Sequence, residues 1–342
     1  MPTTSTIPGF GGTVIRPEDT GYNTARVIWN AMHDRRPALI ARPQSARDVA
    51  AAIRYARAED LLIAVRGGGG NFGVVTEFEF TLHELSELVI LAMFHPLADA
   101  RQVMERARRE MADPAAPDEL LWTSFLRRAH DVPWMPREFV GRHGIMSLVE
   151  WSGDPEEGRT LLAKIRDELD PAASDLSVVP FLFMQTITDD LFAHGLRTYI
   201  KAGFADDLSG GLIDALLDRA AGLRSPISQV ELLALGGAIA RVSPDATAFP
   251  FRQPRWLINI PATWRDAADD EHEIAWARGT YAAVKPYLSE GRYVNFMGDD
   301  EDDTAAGAYG RTMQRLQQVK AVYDPENIFR LNQNITPAVA RA

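Results

Sequence analysis

Arg66-Gly67-Gly68-Gly69-Gly70-Asn71-Phe72-Gly73 decides how this chain is read. It follows the apolar run Leu61-Leu62-Ile63-Ala64-Val65. Consecutive glycines raise the entropic cost of ordering a backbone, so such a stretch has a use for positive φ angles or for close approach of a ligand. Successive amide N–H groups in such a turn form an anion-binding concavity, a common way to hold phosphate.

Gly68, Gly70 and Gly73 satisfy G-x-G-x-x-G, which marks a dinucleotide site only between a strand and a helix. The apolar run supplies a strand before the string. After it comes Val74-Val75-Thr76-Glu77-Phe78-Glu79-Phe80-Thr81-Leu82, where Phe78 and Phe80 alternate with Glu77, Glu79 and Thr81. That period of two predicts a second strand, so no helix N-terminus is aimed at a pyrophosphate. A P-loop would end in Gly-Lys-Ser/Thr, which the string lacks. A ligand-free hairpin corner is the plainest alternative, and the entropic cost of four glycines weighs against it.

Upstream, residues 38–42 read as a buried strand. Ser45 with Asp48 three positions on signals a helix start, and Val49, Ile53 and Ala56 then line one face. With residues 61–65 as the next strand this predicts a β-α-β unit, parallel and right-handed, with the glycine string at a strand carboxyl end. Beyond Leu82, strands are expected at 87–94, 120–125, 145–151, 228–235 and 256–262. Helices are expected at 97–111, 155–169, 208–223, 266–287 and 304–322. This mixed order predicts an antiparallel sheet covered by helices.

Pro37-Ala38-Leu39-Ile40-Ala41-Arg42-Pro43, Ser45-Ala46-Arg47-Asp48-Val49 and Ile63-Ala64-Val65-Arg66-Gly67-Gly68-Gly69 resemble the opening of berberine bridge enzyme-like FAD-linked oxidases. Residues 323–335, Tyr323-Asp324-Pro325 through Asn332-Gln333-Asn334-Ile335, resemble the closing motif of that group. The resemblance implies an α+β fold. Residues 1–82, completed by 323–342, would form a truncated βαβ FAD-binding subdomain of the PCMH type. Residues 83–322 would form the substrate domain, an antiparallel sheet covered by helices.

The family carries two similar glycine strings, the first ending in a histidine that can bond the flavin. Here they stand as one string, with Gly70 at the histidine's place. The simplest account is that the chain between them, on the order of a hundred residues or about one small domain, is absent. The genomic reading frame tests this. The chain has no cysteine, so no thioether link is expected; with Gly70 in the histidine's place no histidyl link is expected there either, and FAD would bind non-covalently. Loss of one wall would leave apolar surface exposed and favour self-association.

The resemblance assigns cofactor contacts to Arg66, Gly67, Gly68, Gly69, Gly70, Asn71, Phe72, Gly73 and Val74, to Tyr293 and Asn295, and to Asn332, Gln333 and Asn334. In many relatives the fourth residue of the Tyr293-Val294-Asn295-Phe296 segment is a tyrosine base; Phe296 cannot exchange a proton, and a buried strand is the structural alternative for this segment. Tyr199, Lys201 and Glu231 correspond to positions that face the flavin and are the catalytic candidates, a buried Glu or Tyr serving as base if its pKa is tuned. For each of them an ordinary strand or surface position is the alternative. The acidic run 298–303 lacks the EF-hand spacing, and His272-Glu273 lacks a second histidine four residues on, so no metal is expected.

Length suggests two domains, and 46% apolar residues suffice for a sizeable core. A net charge of −11 argues against nucleic acid. No apolar run is long enough to span a membrane, and residues 1–6 lack the regions of a signal peptide, so a cytoplasmic protein is expected. The function implied by the resemblance is FAD-dependent oxidation of a small molecule at an alcohol or C–H, with hydride transfer to flavin N5 and oxygen as acceptor. The alternative is a flavin-free remnant or interaction scaffold.

Overall fold

The structure is a computed structural model that describes residues 6–65, 70–85, 87–113, 115–189, 192–298, 300 and 304–339. Short elements open the chain: β1 (Thr13–Ile15), helix α1 (Tyr22–Arg26), β2 (Ile40–Arg42) and α2 (Ala46–Ala58). Then come β3 (Glu87–Pro96), α3 (Ala100–Ala112), β4 (Leu120–Arg128), β5 (His143–Trp151), α4 (Pro155–Leu169) and β6 (Ala173–Pro180). The rest is α5 (Phe181–Met184), β7 (Arg197–Ala205), α6 (Gly210–Ala220), β8 (Gln229–Ala234), α7 (Gly237–Arg241) and β9 (Trp256–Trp264). Helices α8 (Asp270–Val284), α9 (Ala305–Tyr309) and α10 (Met313–Tyr323) close it.

Strands β3 to β9 form one seven-stranded sheet, ordered β6-β3-β5-β4-β8-β9-β7, with antiparallel neighbours throughout. Successive side chains in a strand point to opposite faces. Trp122, Val149, Leu232 and Ile258 thereby share one face, and they pack on Met104, Leu162, Leu216 and Val284 of α3, α4, α6 and α8. Full burial of such a side chain contributes roughly 1.5–3 kcal/mol, so this helix-covered face is the main source of stability. The α+β architecture, an antiparallel sheet covered by helices, is the expected one.

Local signals place the covering helices. Asp154 caps α4 by accepting from the N–H groups of Glu156 and Glu157, and Pro155 follows in the first turn. Lys285–Tyr287 tightens to a 3-10 turn after α8, where Pro286 lacks an N–H to continue the helix. The helix expected over 304–322 divides into α9 and α10 at Gly310, whose φ is +41°.

The N-terminal part departs from expectation. β2 is half-buried and covers only Ile40–Arg42, and it pairs antiparallel with β1. Residues 61–65 form no strand, so the β-α-β unit is not made. A strand needs a neighbouring edge for its N–H and C=O groups; this run finds none, and Leu62 stays 57% exposed. Residues 74–82 likewise form no strand. Two strands went unread: β6 is an edge strand with serines and an acid among its valines, and β7 is interrupted by Arg197, Lys201 and Gly203.

After α10 the chain returns to the glycine string and is fastened there by a buried cation. Lys320 is fully buried. Its Nζ donates to Asp324 Oδ2 at 2.6 Å, to the Phe329 carbonyl at 2.7 Å and to the Asn71 carbonyl. Asp324 also accepts from the N–H groups of Ile328 and Phe329. The Asn71 amide completes the join: Nδ2 donates to the Gln333 carbonyl at 3.2 Å, and Oδ1 accepts from Ile335 N–H at 3.0 Å. Burial pushes the Asp324 carboxyl up, but the Lys320 ammonium and the two amides outweigh it and hold the group below its ordinary value of 3.8.

Two predictions follow from this packing. Asp324→Asn leaves Lys320 buried without its counter-charge and is expected to cost about 3–5 kcal/mol, read by urea unfolding at pH 7. Because the folded carboxyl titrates low, its stabilisation is complete above pH 3.8 and is lost below that value; wild type and variant should converge there. A Cβ on Gly158 would meet Trp151 Cδ1 at 2.4 Å, so Gly158→Ala should destabilise by about 1–3 kcal/mol.

Candidate functional site

The other face of the sheet carries polar groups. Arg127 of β4 stands opposite Gln229 of β8, and Phe125 opposite Glu231. Glu231 in turn stands opposite Asn259 of β9. Arg127, Gln229, Glu231 and Asn259 therefore share one face, and each is buried. Gln229 Nε2 donates to Glu231 Oε1 at 2.6 Å, and Asn259 Nδ2 donates to Oε2 at 2.7 Å.

Burial pushes the Glu231 carboxyl above its usual range, against the opposing pull of the two amide donors and the Arg127 charge. The same burial lowers Arg127 to about 10, with the Glu231 charge opposing. Arg127 Nη2 lies against the His130 ring at 3.0 Å from Nδ1. Arg127 Nε, Gln229 Oε1 and Asn259 Oδ1 are buried without partners. Unpaired buried polar atoms are rare in folded proteins and commonly mark a water or ligand position. Beside this cluster, Phe204 and Leu257 pack with Phe249, Phe251, Tyr293 and Phe296. Together they make a carboxylate on an apolar floor, with donors and acceptors left over.

The three catalytic candidates do not converge. Tyr199 stands opposite Ala262 and Lys201 opposite Ile260, both in the helix-side core. Lys201 Nζ bonds Asp300 Oδ2 at 2.6 Å, and Tyr199 OH donates to the same oxygen. Arg278 of α8 donates to Tyr199 OH at 2.9 Å and to Asp300 Oδ1 at 3.0 Å. Burial, then the Asp300 hydrogen bond, raises the Tyr199 phenol. Tyr199 and Lys201 thus fasten the chain at Asp300 to β7 and α8, on the face away from Glu231. Arg127, Gln229 and Asn259 escaped the sequence reading. Their signal was parity: Asn259 is polar within the otherwise buried, largely apolar Trp256–Trp264, and Gln229 sits two residues before Glu231.

Of the cofactor candidates, Arg66, Gly67, Gly68 and Gly69 lie outside the described residues. Gly70 and Gly73 take positive φ, +59° and +152°. Phe72 and Val74 are half-buried beside them. The Asn71 side chain is committed to the C-terminal tail. Residues 293–296 are no buried strand: Val294–Phe296 is a 3-10 turn, Tyr293 meets Phe296 edge-on at 5.1 Å, and exposed Asn295 donates to Tyr293 OH at 2.9 Å. Asn332 takes φ +60°. Gln333 Nε2 donates to the Gly298 carbonyl at 3.2 Å. Asn334 Oδ1 is buried and unpartnered. A free buried acceptor beside a positive-φ glycine turn fits one side of a cofactor rich in hydrogen-bonding groups.

A separate cleft of about 430 Å³ between α6 and α8, lined by Arg219, Arg224, His272 and Trp276, contains none of these groups. Among the described residues no cluster of His, Asp or Glu is arranged to hold a metal, and no helix is long and apolar enough to cross a membrane.

Residues 292–336 match the family model described as berberine and berberine like. A FAD-linked oxidoreductase of Dictyostelium discoideum is 25% identical over 281 residues, 82% of this chain and 58% of the relative. Berberine bridge enzyme-like 17 of Arabidopsis thaliana is 23% identical over 316 residues, again 82% and 58%. The chain thus spans under two thirds of these curated relatives. In fold it is similar to wild-type BBE-like 1 of Physcomitrella patens, with a TM-score of 0.82 at 14% identity over 97% of this chain and 98% of that one. The closing segment that matches the family model includes Tyr293, Lys320 and Asp324, the residues that order the aromatic turn and the tail, and the chain is similar, in this segment, in sequence and in fold, to the berberine bridge enzyme-like FAD-linked oxidoreductases.

Proposed function

We propose that this chain binds FAD non-covalently and oxidises a small molecule at an alcohol or activated C–H, with Glu231 as the base. One connection carries the reading. Gln333 ties the tail, already sewn to Asn71 of the glycine string, to Gly298. Gly298 follows the turn whose Tyr293 and Phe296 pack on the Glu231 face of the sheet. The glycine string, the tail amides and the buried carboxylate therefore belong to one connected region.

The backbone at Gly70 and Gly73, with Tyr293, Asn332 and Asn334, would hold the flavin, and no cysteine is present to link it. When bound, the flavin supplies hydride acceptance at N5 and reoxidation by oxygen. The protein's part is orientation and proton handling. Glu231 takes the proton from the substrate hydroxyl, and its raised pKa makes it a stronger base than an exposed carboxylate. Gln229 and Asn259 fix both carboxylate oxygens, and their own free carbonyl oxygens accept from substrate donors. Phe296 contributes apolar surface and excludes water. We assign residues 1–82 with 323–342 to the cofactor side and 83–322 to the substrate side, and place the protein in the cytoplasm on its lack of cysteine.

A second reading has its own support. The unformed strand at 61–65 and the exposed Phe78 and Phe80 suit a flavin-free remnant, made by internal loss of part of the flavin domain.

Incubation with FAD, desalting and a visible spectrum separate the two readings. The enzyme reading expects a retained flavin band, and a colourless protein establishes the remnant reading. Given a band, Glu231→Gln should keep it and lose anaerobic bleaching by substrate. In wild type the bleaching rate should rise with pH as Glu231 ionises, with its midpoint above the ordinary value of 4.5.

A further inference from the structure

From Phe72 to Leu85 the chain forms no helix or strand and makes no hydrogen bond among the described residues. Every residue from Val75 to Leu85 is exposed. Phe78 is 70% exposed, Phe80 74% and Leu82 89%. The Phe78 and Phe80 rings stack at 5.7 Å with 8° between their planes. Stacking at a spacing of two puts both rings on one side of an extended backbone, so the strand pattern of the sequence persists without a partner strand. An apolar-faced strand with open N–H and C=O groups is a template for strand addition.

We propose that this arm pairs antiparallel with the same arm of a second copy, about a two-fold axis at Phe80. The charge pattern selects both partner and register. Centred on Phe80, the pairing sets Phe80 against Phe80, Phe78 against Leu82, Val75 against Leu85, Glu79 against Thr81 and Glu77 against His83. Apolar groups meet apolar groups, and no two charges of one sign stand opposite. Centred on Glu79, it would oppose Glu79 to itself, which is destabilising. Centred on Thr81, it would set Phe78 against Glu84 and Glu77 against Leu85. A two-fold interface is self-complementary in this way: residue i meets j, and j meets i.

Two strands alone make a marginal ribbon, and an apolar shelf lies beside this one. The arm enters the sheet at Glu87, which pairs with Pro180 at the end of β6. The next residues expose Leu182 (76%) and Phe183 (51%).

Cysteine cross-linking tests the register directly, because the chain has no cysteine of its own. Residues directly opposite in an antiparallel pair have Cα atoms about 4.5–5.5 Å apart, within the span of a disulfide. Phe80→Cys is expected to form a covalent dimer under mild oxidation. Phe78→Cys is not, since its two copies would lie four residues apart along the ribbon, about 13 Å. In sedimentation the unmodified protein should be a dimer, Phe80→Lys a monomer with an unchanged circular dichroism spectrum, and His83→Glu at least tenfold weaker in association. A monomeric unmodified protein at tens of micromolar overturns the proposal. So does cross-linking of Phe78→Cys as fast as Phe80→Cys. No flavin is added, so the result stands apart from that of the cofactor test.

Discussion

One buried ammonium holds the two ends of this fold together. Lys320 has no access to water, and a charge in that position persists only with its full set of acceptors. It finds them in Asp324, the Phe329 carbonyl and the Asn71 carbonyl, which belong to the C-cap of α10, the tail and the glycine string. The tail cannot leave without stranding the cation, and the string cannot leave without stranding Asn71, whose amide is bonded to the same tail. Residues more than 240 apart in sequence are thereby joined.

A second constraint is the parity of the sheet. One face is apolar and closed by helices; the other carries Arg127, Gln229, Glu231 and Asn259. A carboxylate placed between two amide donors under such burial stays ordered, and its proton affinity rises because the charged form is the one burial penalises. Parity also explains why Tyr199 and Lys201, near Glu231 in the strand order, belong to a different task. They hold Asp300, and through it the loop that carries Gly298, to which the tail is bound.

The N-terminal part shows what happens when a sequence asks for pairing that its own chain does not provide. Residues 61–65 and 74–82 both carry strand patterns, yet neither is a strand. A strand is a relation between two edges, and local propensity supplies only one. Leu62, Val75, Phe78, Phe80 and Leu82 of these runs stay exposed, which is the condition that favours association.

Much of this was legible in sequence. The main helices and five of the seven large-sheet strands carry their own caps, prolines and apolar periods, and those signals act over a few residues. The closing motif pointed to the tail, and Glu231 was identifiable as a candidate. What local signals cannot encode is partnership. That Asn71 joins the tail, that Glu231 is held by Gln229 and Asn259, and that Tyr199 and Lys201 face away from it depend on register between distant strands. So does the absence of a strand at 61–65. Composition and periodicity determined the class of fold and the elements; only the tertiary structure decided which side chains meet, because burial and hydrogen bonding are settled between segments and not within them.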